Sequence, residues 1–388
     1  MEGAEYMKHA YITGIGAHLP GQPITNDEIS GILGVIDDQS ERLGRLILRQ
    51  NRIETRHYAL DKAGRALDTN AGLAAKAALR ALDAAGLDLQ AVDLLATGTT
   101  QGDLLVPGHA SAVHAELARS GMRAVEIASF QSVCASSMMA LRNASLAVRS
   151  GDSKVALVTG SEMSSRWFRP AFYQPALGIL NETHIRMAAE FLRWTLSDGG
   201  GAVVLEPAPR PGRQSLRIDW VRLLSLADRF DVCMHAGIQH NARHDLSQCW
   251  SHHPDGPPGA ATDGAILLMQ DMTLLKRIIH GWVGEYLALI DAGLISPADV
   301  DHVLCHYSAH SLREEIIMLM KAAGAMIDEE KWFTNLYSKG NTGSAALFVM
   351  LEEFLRDRDI NTGDKVLCVV PESGRAVIAF MQLTVVEG

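Results

Sequence analysis

Five cysteines, Cys134, Cys233, Cys249, Cys305 and Cys368, are spread along the chain, and one of them stands in a setting that favours reaction. Cys134 lies in Ser132-Val133-Cys134-Ala135-Ser136-Ser137-Met138-Met139-Ala140-Leu141, where small residues lead from an apolar run into a helix. A thiol at the first turn of a helix faces unpaired N–H groups and the positive end of the helix dipole, which favour the thiolate and lower its pKa. The expectation is a nucleophile able to take an acyl group from a thioester. A second suggestive stretch holds Cys233, His235, His240, His244, Cys249, His252 and His253. The His240/His244 spacing would put two imidazoles on one helical face, as zinc sites do. The irregular cysteine positions match no standard ligand spacing, so no metal is expected.

The elements that must position Cys134 are α/β in character. Short apolar, β-branched runs (Tyr11–Gly16, Leu94–Gly98, Lys154–Gly160, Gly201–Leu205, Val303–His306, Lys365–Val370 and Val377–Val386) alternate with Ala/Leu-rich helical stretches. This alternation predicts largely buried sheets. The chain also repeats itself. Ala81-Leu82-Asp83-Ala84-Ala85-Gly86-Leu87 leading to Val92-Asp93 is echoed, about 208 residues on, by Leu289-Ile290-Asp291-Ala292-Gly293-Leu294 leading to Val300-Asp301. Gly151–Val158 likewise matches Gly363–Val369, and the helical stretch after Cys134 matches the one after Asn341. A repeat this long predicts two similar lobes, 1–210 and 211–388, with a pocket at their junction. The break is placed near Glu206–Arg217, where Pro207, Pro209, Pro211 and Gly212 interrupt regular structure. Between 163 and 196 lies a segment without a counterpart in the second half, and it concentrates Trp167, Phe168, Phe172, Tyr173, Phe191 and Trp194. It reads as a lid over an apolar cavity, an oligomer contact, or a helical insertion packed on its own lobe.

Bulk properties exclude several classes. The chain has 388 residues, 47% hydrophobic and 21% charged, with net charge −10. Its lysines and arginines form no basic stripe, so nucleic acid is not an expected partner. The widely spaced cysteines make no disulfide framework, and a reducing cytoplasm is the expected compartment. Met1–Gly14 has no basic segment followed by an apolar run and is not read as a secretory signal; Met7 is a candidate start, with Met1–Tyr6 an unstructured extension. No apolar run reaches the roughly 18 residues of a membrane-spanning helix.

Taken together, several segments resemble the β-ketoacyl-ACP synthase III enzymes of the thiolase superfamily. Cys134-Ala135-Ser136-Ser137, followed by Gly151-Asp152 and Val155–Glu162, is similar to that family's nucleophile segment. Ser197-Asp198-Gly199-Gly200-Gly201-Ala202 looks like its Gly-Asp-Gly-Ala turn, and Asn341 in Gly340-Asn341-Thr342-Gly343-Ser344-Ala345-Ala346 matches its Asn-Thr-Ser-Ala motif. His306 ends a predicted strand at the family's histidine position. The resemblance spans nearly the whole chain. It implies a five-layered αβαβα fold built from two duplicated halves, usually a homodimer, and a catalytic set of Cys134, His306 and Asn341. An acyl group would pass to Cys134; a malonyl- or β-ketoacyl-type thioester would then lose CO2, its enolate stabilised by N–H donors of His306 and Asn341. Backbone N–H groups of Cys134 and Ser373 would form the oxyanion hole. No cofactor or metal is implied, only acyl-ACP or acyl-CoA substrates, in fatty-acid or specialised polyketide-like synthesis.

The chain departs from the family at informative points. The usual His-Gln-Ala-Asn run is His306-Tyr307-Ser308-Ala309, and the C-terminal Gly-Gly-Gly-Phe loop is Glu372-Ser373-Gly374-Arg375. Glu372 is therefore a candidate auxiliary acid or base for an additional ring closure, or else a solvated or Arg375-paired carboxylate. A tryptophan that stacks the CoA adenine is replaced near Leu46. Val106 stands before Pro107 where relatives carry Phe, so Val106, Trp167 and Phe168 are expected along a deepened acyl channel. The alternatives are acyl transfer to an oxygen or nitrogen nucleophile, a condensing enzyme making a ring product, and a non-catalytic partner of a second synthase. The Gly-Pro-Gly loop of plant-type polyketide synthases is missing, and Pro371–Gly374 lacks the second cysteine of a degradative thiolase.

Overall fold

A computed structural model describes residues 9–388, so the candidate start at Met7 and the Met1–Tyr6 extension lie outside the described residues. The first-half strands are β1 (Ala10–His18), β2 (Leu94–Thr99), β3 (Glu126–Gln131), β4 (Ala156–Glu162) and β5 (Gly199–Glu206). The second half carries β6 (Gln214–Ser225), β7 (His302–Cys305), β8 (Trp332–Phe333), β9 (Lys365–Glu372) and β10 (Val377–Glu387). Their order is β8-β7-β9-β10-β6-β1-β5-β4-β2-β3. Read outward from the centre, β1-β5-β4-β2-β3 and β6-β10-β9-β7-β8 are the same order twice. Among the described residues, strand pairing joins the two sets only at Ala10–Ile12 against Leu216–Ile218.

The helices fall into three layers around these sheets. α1 (Asp38–Asn51) precedes the layers; α2 (Asn70–Ala85) and α3 (His109–Ala118) cover one outer face. α4 (Ser136–Ser150) lies between the sheets, α5 (Thr183–Arg193) belongs to the connecting segment, and α6 (Met272–Asp291) and α7 (His310–Ala322) cover the other outer face. α8 (Ala346–Asp357) joins α4 in the middle. Alternation along the strands dictates this arrangement, since successive side chains point to opposite faces. Leu94, Val158 and Val203 pack in the central layer, whereas their neighbours Leu95, Leu157 and Val204 pack outward under α2. In the second half Leu304, Cys368 and Met381 face the centre, while Val303, Leu367 and Phe380 face α6 and α7. Both sheets are thus buried on two faces, giving the α/β five-layered arrangement.

Two elements escape the sequence reading. β3 is an edge strand with mostly exposed side chains, and only Ala128 and Phe130 pack against the central core. β6 interleaves Arg217, Asp219 and Arg222 with its apolar residues. The aromatic segment 163–196 is largely core: Phe168, Tyr173, Phe191 and Trp194 are buried, and Trp167 remains partly exposed.

Small residues let the central helices approach the strands. A Cβ at Gly98 of β2 would lie 2.4 Å from the backbone of Ser136 and Ser137, and one at Gly160 of β4 would lie 2.5 Å from the Ser344 carbonyl. The start of α4 and the loop before α8 therefore rest directly on strand backbone. Gly98→Ala is expected to cost about 1–3 kcal/mol of stability by overpacking. The urea midpoint reads this; an unchanged midpoint would contradict the close approach.

Candidate active site

Cys134 sits where β3 turns into α4, and it is 7% exposed. No side chain of α4 caps its own start at Ala135. The cap comes from the other half. At the end of β9, Glu372 accepts the Ala135 N–H at 2.8 Å, the Val133 N–H at 3.0 Å and the Ser132 hydroxyl at 2.6 Å. The carboxylate is 1% exposed, and both oxygens are occupied.

This contact overturns two expectations. Glu372 is neither a free acid or base nor paired with Arg375, whose Nε instead donates to the Phe230 carbonyl. Nor is the Cys134 thiol acidic. Burial, together with the charges of Glu372 and Glu162, pushes its pKa well above the ordinary thiol range. The helix-end field that should have favoured a thiolate is met by a carboxylate.

His306 follows β7, with its N–H donating to the Val369 carbonyl at 2.9 Å. Burial lowers its pKa to about 4, so the ring is neutral near pH 7. Asn341 is held by its own N–H to Thr195 (3.3 Å) and by its carbonyl, which accepts the Ser197 N–H (2.8 Å). Its Oδ1 accepts the Gly343 N–H at 2.9 Å. The amide NH2 is thereby left as the free end, so Asn341 acts as a donor. The N–H groups of Cys134 and Ser373 have no hydrogen-bond acceptor among the described residues. The Ser373 hydroxyl donates to Gln270 Oε1.

These side chains meet in one cavity of about 500 Å³, whose wall includes Cys134, His306, Asn341 and Ser373. Trp167 also lines it. One other channel expectation is corrected, since Phe168 is fully buried in core packing; Val106 is 82% exposed and lies outside the wall built by its own chain. The His/Cys-rich stretch supplies a further wall through Met234, His235, Ile238 and Cys249. It is a series of short turns rather than a helix, so His240 and His244 share no helical face. The His235 and His240 rings stack at 5.4 Å between centroids.

Sequence reasoning missed Glu162, the last residue of β4, whose buried carboxyl lines the same cavity. Its Oε1 accepts the Thr100 N–H (2.9 Å), the Thr100 hydroxyl (2.6 Å) and the Ser344 N–H (3.3 Å). Burial raises its pKa to about 7 against these hydrogen bonds. The available signal was an acidic residue ending an otherwise apolar strand.

Comparison with known proteins matches residues 290–380 to the C-terminal region of 3-oxoacyl-[acyl-carrier-protein] synthase III, and residues 57–174 to the N-terminal domain of thiolase. A β-ketoacyl-[acyl-carrier-protein] synthase III of Neisseria meningitidis is 27% identical over 366 residues, covering 93% of this chain and 95% of that one. Among solved structures, a tetronic acid condensing enzyme, AbyA1, superposes with TM-score 0.74 at 23% identity, covering 98% of this chain and 100% of the other. Cerulenin-bound OleA of Xanthomonas campestris gives 0.70 at 18%, covering 97% and 96%. These structural likenesses show the fold.

The elevated thiol pKa has a direct readout. Cys249 is partly exposed, and the Ser251 hydroxyl beside it lowers its pKa. Iodoacetamide near pH 7 should therefore alkylate Cys249 ahead of Cys134, because thiolate is the reacting species. Peptide mapping that finds Cys134 labelled first would overturn the electrostatic picture.

Proposed function

We propose that the chain works as a β-ketoacyl-ACP synthase III-like condensing enzyme of the thiolase superfamily, joining acyl thioesters by Claisen-type condensation, and that Cys134, His306 and Asn341 carry its reaction. The observation that carries this reading is convergence: a thiol from the first half, and an imidazole and an amide from the second, line one cavity. The acyl group passes to Cys134 Sγ, and the tetrahedral oxyanion is held by the N–H groups of Cys134 and Ser373. A malonyl- or β-ketoacyl-type thioester then loses CO2. The enolate oxygen is met by an N–H of neutral His306 and by the Asn341 amide, both uncharged donors. The carbanion attacks the acyl carbonyl, and the β-ketoacyl thioester leaves. No step calls on a cofactor.

Carriers reach the site from outside the chain. A cleft of about 380 Å³ beside the catalytic cavity shares Leu312 with it and carries Arg49, Arg52 and Lys276. Arg49 and Lys276 suit the phosphate of a pantetheine arm on acyl carrier protein or CoA, while Glu314, 3.8 Å from Arg52, and Glu315 on the same wall offset part of the positive charge. Apolar walls formed by Met163, Trp167, Leu192, Leu268 and Trp282 suit a medium-chain or longer acyl group. Each buried methylene adds about 0.8 kcal/mol of binding until the space is filled.

We further propose a homodimer formed through β3. This strand is a sheet edge with unpaired backbone groups, the kind of surface that recruits another strand. Beside it Leu104, Leu105 and Val106 are 58%, 74% and 82% exposed. Gln131, at the end of β3, lines the catalytic cavity, so a partner's loop at this edge would complete the cavity wall.

His306→Ala and Asn341→Ala should keep acyl loading of Cys134, read by intact mass, while malonyl decarboxylation falls by roughly two or more orders of magnitude. Cys134→Ala should take up no acyl group. Loss of loading with decarboxylation preserved would contradict the division of roles. A second outcome concerns chain length: Val106→Phe should shift the loading optimum among acetyl, octanoyl and dodecanoyl donors toward shorter chains. An unchanged optimum in a dimer of twice the 42.0 kDa chain mass would remove Val106 from the channel.

A further inference from the structure

We propose that Glu162 accepts the Cys134 thiol proton when the acyl group is loaded and returns it to the departing carrier thiol. The inference rests on Cys134 being the acyl acceptor and adds the route of its proton.

Three observations lead to it. Cys134 is held as a thiol by its burial and, after that, by the two carboxylates near it, so loading must include proton removal. Glu372, the carboxylate bonded to the nucleophile loop, has both oxygens occupied by Ser132, Val133 and Ala135. Glu162 is built differently. The Thr100 N–H, the Thr100 hydroxyl and the Ser344 N–H all arrive at Oε1, no such bond is found at Oε2, and the side chain lines the cavity with Cys134. The carboxyl is also held in a fixed position: Gly343, at φ +55°, leaves room for it, and a Cβ there would lie 2.7 Å from Glu162 Cγ. Thr100 and Ser344 thus hold one oxygen and turn the other toward the reacting space.

The remaining candidate is weaker. His306 lines the cavity, but its buried ring has a pKa of about 4 and holds an added proton poorly. A carboxyl of pKa about 7 both accepts and releases a proton near neutral pH, the match that general acid–base catalysis requires. Protonating Glu162 also removes one of the two negative charges that oppose a thiolate at Cys134.

The step balances without another reactant. No hydrogen bond joins Cys134 to Glu162, so in this proposal the proton passes through water in the cavity they share: from Sγ–H to water, and from water to Oε2. The Sγ–C bond forms at the acyl carbonyl, and the bond from that carbon to the carrier sulfur breaks. The departing thiolate takes the proton back along the same route and leaves as a thiol, and Glu162 is again a carboxylate.

The test compares two reactions of one thiol, in Glu162→Gln and Glu162→Asp beside the parent chain. Acyl loading by octanoyl-CoA is followed by intact mass, and Cys134 alkylation by iodoacetamide is followed by peptide mapping. The glutamine variant should load about 100-fold more slowly, yet alkylate Cys134 at least as fast, because a charge that disfavours thiolate has gone. The aspartate variant keeps a carboxyl and should recover part of the loading rate. Loading that is unchanged or faster in Glu162→Gln overturns the proposal. So does a parallel fall in loading and alkylation, which would make Glu162 a wall residue only, or equal loss in both variants. If Cys134→Ala still acquires the acyl group, the underlying assignment of the nucleophile fails instead.

Discussion

The arrangement of residues around the cavity depends on one buried carboxylate. Glu372 reaches from the end of β9 into the turn before α4 and replaces the cap that this helix does not carry itself. Removing a carboxylate from water is expensive, and the expense is tolerable only because three donors are waiting, two of them backbone N–H groups at a helix start. Those donors belong to the first half and the acceptor to the second. The interaction therefore fixes the nucleophile's loop relative to the strand that also leads to Ser373. It has an electrostatic cost as well: the same negative charge raises the pKa of the thiol it positions. Geometry and reactivity are set against each other at this point, in a cavity that Glu162 also lines.

The duplication explains why the site lies where it does. α4 and α8 occupy the same station in their respective halves, side by side in the central layer, and Cys134 and Asn341 precede them. Gly98 and Gly160 allow these two helix approaches to rest on strand backbone. A side chain at either place would push a catalytic loop out of register with its counterpart.

Much of this was legible in the sequence. Seven strands follow from apolar, β-branched runs, and Cys134, His306 and Asn341 follow from motifs whose residues are local in sequence. What was not legible depends on neighbours distant in sequence. Cys134 was expected to be acidic from its helix position alone, because Glu372 is 238 residues away and its direction cannot be read from Glu372-Ser373-Gly374-Arg375. Val106 was expected in a channel, and within one chain its loop turns outward beside an edge strand, outside the cavity wall. Phe168 was grouped with Trp167 by sequence adjacency, and the short helical turn at Ser164–Phe168 sends one ring into the core and the other toward the cavity. Glu162 carried only the weak signal of a charge at a strand end.

The seam between the half-sheets also bears on how the chain reaches its native state. Among the described residues the strands of the two halves pair only at Ala10–Ile12 and Leu216–Ile218, a few loop hydrogen bonds such as those of Asn341 with Thr195 and Ser197 add to this, and most of the union is side-chain packing around α4 and α8. Cys134, Glu162, His306, Asn341 and Glu372 are contributed by loops and strand ends that are far apart along the chain. Contacts of such long sequence separation form slowly, after local structure has bought little of the entropy that closing those loops requires. Each half can acquire its strands and helices early, yet neither contains a working centre. The docking of one half on the other is thus the event in folding at which chemistry first becomes possible, and a chain arrested before it would have native-like secondary structure and no turnover.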